Sequence, residues 1–147
     1  MAAIGALIVV VAGCGSSEPD QVPVACLGKA ATISQALERA PAKVTLADGT
    51  SISHCVRLAA HRDGDLQSLG SSLMNVADDL RAQTRTNPDA AVRLGYLIGA
   101  VRRGAAKTPG LAAQLARRIE QTAALEQDDA VARGALLRGV MSGEEGG

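Results

Sequence analysis

Leu66, Leu69, Leu73, Val76 and Leu80 recur at spacings of three and four, which places all five on one face of an amphipathic helix. Two downstream segments open with a shared grammar, Asn87-Pro88-Asp89 and Thr108-Pro109, in which a capping side chain precedes a proline at the first helical position. Each predicts a further helix. Between Ala90 and Val101 only Arg93 is charged, so the helix begun at Asn87 is apolar nearly all round and belongs at the centre of the fold. Its Ala91, Gly95 and Gly99 lie four apart and form a smooth edge where another backbone comes close. The segment is shorter than the roughly 20 residues of a bilayer span and ends in Arg102-Arg103, so this edge is expected to pack inside the protein. Leu111, Leu115, Ile119 and Leu125 mark another helix, and Val131, Leu136 and Val140 a weaker one. Residues 143–147, GEEGG, are expected to fray as a disordered tail.

Upstream of the Leu66 stripe the pattern is less regular. Thr32 and Gln35 have the spacing of a capping box, predicting a short helix that runs to Ala40 and stops at Pro41. Asp48-Gly49 suggests a tight hairpin, but a two-residue turn would pair Leu46 with Ser51 and send Ile52 to the opposite face. Two alternatives remain: a five-residue loop pairing Leu46 with Ile52, or a turn leading to Ser53 as the N-cap of a helix through His61. The expected fold class is mainly α, a compact bundle of four to six helices with one irregular or short β-like segment near 41–53.

Composition adds what fills that bundle. The 147 residues include 28 alanines and 16 leucines, but no Trp, no Phe and a single tyrosine, Tyr96. Burial must therefore come from small and aliphatic side chains, with Tyr96 expected in the core and its hydroxyl satisfied at an edge. The 15 basic and 15 acidic side chains balance, and aromatic residues for stacking on bases are missing, so no nucleic acid partner is expected. Locally the charges segregate: residues 81–118 hold eight basic side chains against Asp89 alone, whereas residues 63–79 hold Asp63, Asp65, Asp78 and Asp79 and no base. Either the two segments neutralise one another within the fold, or Arg102, Arg103, Arg117 and Arg118 form a patch for an anionic partner.

The first residues carry a different kind of signal. Ile4 to Ala12 is an apolar run of the length of a secretory h-region, too short to span a bilayer permanently. It ends in Val11-Ala12-Gly13-Cys14, followed by the polar stretch GSSEPDQVP. This tetrapeptide resembles the lipobox of bacterial lipoproteins. The resemblance implies that residues 1–13 are a signal peptide, that the Cys14 thiol accepts the diacylglyceryl group, and that 14–25 form a flexible tether. A single helical domain then spans 26–142. It also implies export and lipid anchoring on the extracytoplasmic face of a bacterial membrane, so the membrane is a partner through the N-terminal lipid.

Cys26 and Cys55 remain once Cys14 is acylated, and an oxidising compartment favours a disulfide between them. The rival is a metal site built from Cys26, Cys55, His54 and His61, which lacks the usual ligand spacings. Asp78-Asp79 and Asp128-Asp129 are sequence neighbours, about 100° apart on a helix, and do not converge as an acid and base would. Glycine-rich phosphate loops and nucleophile motifs are missing, so no catalytic residue, metal or cofactor is expected. The expected function is a small helical interaction or structural module of the envelope, with a protein or anionic envelope partner. The alternative is a metal-dependent or hydrolytic envelope enzyme using His54, His61 and nearby carboxylates.

Overall fold

The computed structural model describes residues 21–124 and 130–147. A 3-10 turn at Val24–Leu27 precedes six helices, α1 (Ala30–Leu37), α2 (Ile52–Ala59), α3 (Asp63–Gln83), α4 (Pro88–Ala105), α5 (Leu111–Ala124) and α6 (Ala130–Gly146). No strand occurs among the described residues, and none of their helices is long and apolar enough to cross a membrane. The chain is a compact, mainly α bundle, and the segment near 41–53 is irregular rather than β-like.

The pattern that announced α3 is the pattern that buries it: Leu66, Leu69, Leu73, Val76 and Leu80 all lie in the core. Asn87 caps α4 by accepting from the Asp89 N–H, with Pro88 at the start of the helix. α4 is buried along most of its length and packs against α2, α3, α5 and α6, as its nearly uncharged sequence requires. Tyr96 is fully buried, and its hydroxyl accepts the Val44 N–H at 3.0 Å. That bond satisfies a polar edge and ties the loop after α1 to the central helix, with Val44 and Leu46 buried beside it.

Four local expectations are corrected. Thr32 does not cap α1, which begins two residues earlier at Ala30 with Lys29 in the capping position and no side-chain bond. Near Asp48 the chain turns tightly, Leu46 donating to the Thr50 carbonyl and Gly49 to that of Leu46, with Gly49 at φ 84. The turn leads to Ser51, not Ser53, as the N-cap of α2, its hydroxyl accepting from the His54 N–H. Pro109 is not the first residue of α5; Gly110 at φ 90 intervenes, and the Thr108 hydroxyl donates back to the Ala105 carbonyl, finishing α4 instead of starting α5. Residues 143–147 are not a frayed tail: α6 continues to Gly146, and Gly147 is buried.

The physical reason for that last difference lies in the contact of α6 with α4, the most extensive between any two elements. The two helices run parallel, and glycines on both allow their backbones to meet. A Cβ at Gly95 would lie 2.0 Å from the Leu136 carbonyl oxygen, and one at Gly139 would lie 2.0 Å from that of Val92. Gly99 and Gly143 repeat the arrangement one turn further on, against the carbonyls of Val140 and Tyr96. Carbonyl oxygens thus occupy the places where side chains would begin, the geometry of Cα–H···O contacts between close helices. The predicted smooth edge of α4 is an interface, and its partner is an equally smooth edge of α6.

Cys26 and Cys55 form a disulfide with a Cα–Cα distance of 5.4 Å. It joins the 3-10 turn to α2, both cysteines being buried. The folded part begins slightly before Cys26, because Val22 and Ala25, assigned to the tether by sequence, pack against the core. Residues 1–20, which hold Cys14, the expected signal and the first part of the expected tether, lie outside the described residues, as do Leu125, Asp128 and Asp129.

Candidate functional site

α6 has two faces of opposite character. Inward it presents Ala132, Ala135, Gly139 and Gly143, all buried. Outward, Val131, Leu137 and Met141 are 72%, 56% and 63% exposed. Leu137 and Met141 are four residues apart and so share one stripe. Beside this stripe lies a groove of about 420 Å³ bounded by α4, α5 and α6. Leu94 and Ile98 of α4 are among the residues that line it, with Leu136, Leu137 and Val140 on the α6 side and Ala123 on the α5 side. The groove is apolar along its middle, because the residues of α4 that reach it follow the helical spacing Ala91, Leu94, Ile98, Arg102.

The charged end of the groove is already satisfied. Arg102 donates through Nε to Glu120 at 2.5 Å and through Nη1 to Glu144 at 3.4 Å. The Glu120 hydrogen bond raises the Arg102 pKa, opposed by partial desolvation and helped by the charges of Glu120 and Glu144. Arg102 therefore bridges α4, α5 and α6.

Arg103 points to a different place. Its Nη1 donates to the Glu144 carbonyl at 2.9 Å and to that of Glu145, and the Ser53 hydroxyl donates to the Gly147 carbonyl. A guanidinium and a hydroxyl from distant elements thus complete the last turn of α6, where carbonyls have no partner within the helix. Arg117 and Arg118 are exposed on α5, and Arg118 borders a separate groove with Asp63, Met74 and Leu111. The four arginines proposed as one patch are divided among these surroundings. The neutralisation seen at Arg102 uses Glu120 and Glu144 instead of the acids of residues 63–79.

A polar crevice of about 570 Å³ lies between the Asp48 turn, the start of α2 and the end of α6. Lys43, Asp48, His54, Arg103 and Glu145 are among the residues that line it. The Thr50 backbone N–H holds the Asp48 carboxyl below its ordinary range. His54 accepts at Nδ1 from Arg57, one turn along α2. His61 is exposed beyond the other end of that helix, so the two histidines of the enzyme alternative do not converge. No group of three or more His, Cys, Asp or Glu side chains is arranged to hold a metal among the described residues.

In the sequence Val131, Leu136 and Val140 mark the apolar positions of α6 and do not reveal the exposed stripe of Leu137 and Met141. A second spacing, Ala130, Gly134, Leu137, Met141, Glu144, at intervals of four, three, four and three, was the available signal. Comparison with family models, with curated proteins and with solved structures yields no match for this chain.

Proposed function

We propose that this chain is a lipid-anchored helical module of the bacterial envelope, on the extracytoplasmic side, and that it works by presenting the outer face of α6 and the adjoining groove to a partner. The observation that carries the proposal is the exposure of Leu137 and Met141 beside an apolar groove of about 420 Å³. Large apolar side chains grouped on one surface mark contact sites, since leaving them in water forgoes about 25 cal/mol for each Å² that could be buried. The buried Cys26–Cys55 pair suits an oxidising compartment, and the lipobox-like Val11-Ala12-Gly13-Cys14 suits anchoring there.

Two experiments test the two halves of this proposal. Cys14→Ala should release the protein from the membrane fraction and remove lipid mass from the N-terminal peptide, because stable anchoring needs at least two acyl chains. Unchanged partitioning with an unmodified peptide would refute the anchor. A photo-crosslinking side chain at Leu137 in intact cells should give a defined adduct that the same group at Asn75, exposed on α3, does not. Equal or no labelling from both positions would refute the α6 surface.

A further inference from the structure

Two apolar side chains at the start of the domain are held in water by a turn that is fastened on its other side. Val24 is 87% exposed, the highest value among the exposed large apolar side chains of the described residues, and Leu27 is 40% exposed. Residues three apart in a 3-10 helix eclipse one another, so both lie on one side of the turn. The two residues between them hold the turn in place: Cys26 is buried in its disulfide with Cys55, and Ala25 packs against the core. Beyond it the Gly28 carbonyl accepts from the Ser72 hydroxyl of α3 at 3.1 Å. Val24 is ten residues beyond Cys14, so a lipid on that thiol keeps the turn within at most about 35 Å of the bilayer, whatever path the chain between them takes. The surroundings of the turn are nearly uncharged. Between Gln21 and Leu37 the only charged residue is Lys29, and α3, on which the turn rests, carries none from Leu66 to Ala77. α2, joined to the turn by the disulfide, carries Arg57 and no acid, and Arg62 follows it. Acids begin only at Glu38, Asp65 and Asp78, outside these stretches. An apolar ridge with a lysine beside it suits the boundary between lipid headgroups and acyl chains, where the ridge is buried and the ammonium reaches phosphate.

We infer that the 3-10 turn is a second membrane contact, in which Val24 and Leu27 enter the headgroup–acyl boundary of the bilayer and Lys29 meets lipid phosphates. The inference rests on the lipid-anchor half of the proposed function and adds an orientation to it. The domain sits on the bilayer through the turn, and α6, which packs on α4, keeps its outer face for a partner.

The chain contains no tryptophan, so one introduced at a chosen position reports alone. The test uses residues 14–147, the mature form that the lipobox implies, with the Cys14 thiol coupled to a maleimide phospholipid and the Cys26–Cys55 pair oxidised. The coupled chain is placed in vesicles of phosphatidylcholine and phosphatidylglycerol. Val24→Trp should emit further to the blue and lose intensity about twofold when the acyl chains are brominated, because interfacial contacts reach about 5–10 Å into that boundary. Leu137→Trp, on α6, should keep a solvent-like emission and stay unquenched. Adding Leu27→Asp to Val24→Trp should remove most of the quenching while helicity and melting temperature are retained, since Leu27 is exposed. An unquenched Val24→Trp overturns the inference. So does equal quenching at positions 24 and 137, or quenching that Leu27→Asp leaves unchanged, since either would report only the affinity of tryptophan for lipid. A native N-terminal peptide without lipid mass refutes the anchor and the inference with it. An unquenched Val24→Trp beside an acylated native peptide refutes the turn alone.

Discussion

α3 meets the core through Leu66, Leu69, Leu73, Val76 and Leu80, whereas α6 meets it through Ala132, Ala135, Gly139 and Gly143. The first helix is held by side chains removed from water, each worth roughly 1.5–3 kcal/mol when fully buried. The second fully buries only alanines and glycines, with Leu136 and Val140 partly buried against the core. Gly95, Gly99, Gly139 and Gly143 instead cost about 1 kcal/mol each in helix propensity, roughly 4 kcal/mol together. The close backbone contact of α4 with α6 must more than offset that cost. It does so through dense van der Waals contact, Cα–H···O contacts and little loss of side-chain freedom. Two helices in one small domain are thus fastened by different physics, and substitutions should tell them apart.

The largest effect is expected at Leu73, which is fully buried. Leu73→Ala should cost about 2–5 kcal/mol through lost burial and the cavity left behind, with amide protection falling throughout the bundle. Reduction of Cys26–Cys55, which closes 29 residues of chain, should cost about 3–4 kcal/mol in the chain-entropy account. It should loosen the 3-10 turn and α2 while leaving the α4–α6 amides protected. Gly95→Leu should cost about 1–3 kcal/mol by overpacking. Here the exchange of α6 amides should rise first, with α3 still protected. Tyr96→Phe removes the acceptor for the buried Val44 N–H and should cost about 1–3 kcal/mol, freeing the loop after α1 without moving α6. Native-state hydrogen exchange separates these outcomes by region. Uniform loss of protection in all four would abolish the distinction.

The same contrast explains which parts of the structure could be read from the sequence. α3 was legible because a hydrophobic period marks the face that side-chain burial uses, and α4 because Asn87-Pro88 is a local cap. The edge formed by Ala91, Gly95 and Gly99 was legible too, since glycine within a helix calls for a close neighbour. α6 was legible only in part, because Val131, Leu136 and Val140 stand out in the sequence while the small residues that dock it, Ala132, Ala135, Gly139 and Gly143, do not. Its last turn looks like a tail in the sequence because GEEGG holds three glycines and no apolar side chain to bury. The groups that complete it, Arg103 and Ser53, come from about 41 and 94 residues away in the chain. No local pattern reports such a cap. The partners of Arg102 are hidden from a local reading for a similar reason, because Glu120 and Glu144 lie on α5 and α6. The disulfide was expected from the cysteine count together with the oxidising compartment that the lipobox-like segment implies.

The central claim is that α6 is held by backbone contact at its glycine edge, and two glycines five residues apart on that helix test it. Gly139 faces the Val92 carbonyl, which leaves no room for a Cβ, whereas Gly134 has nothing within 4 Å of one. Thermal unfolding of the two alanine variants is therefore the most direct measurement. Gly134→Ala should be stabilised by about 0.5–1 kcal/mol from helix propensity, a rise of roughly 1–4 °C for a domain of this size. Gly139→Ala should be destabilised by about 1–3 kcal/mol as the helices are forced apart. Opposite signs are the predicted result; stabilisation of both variants would contradict the backbone seam.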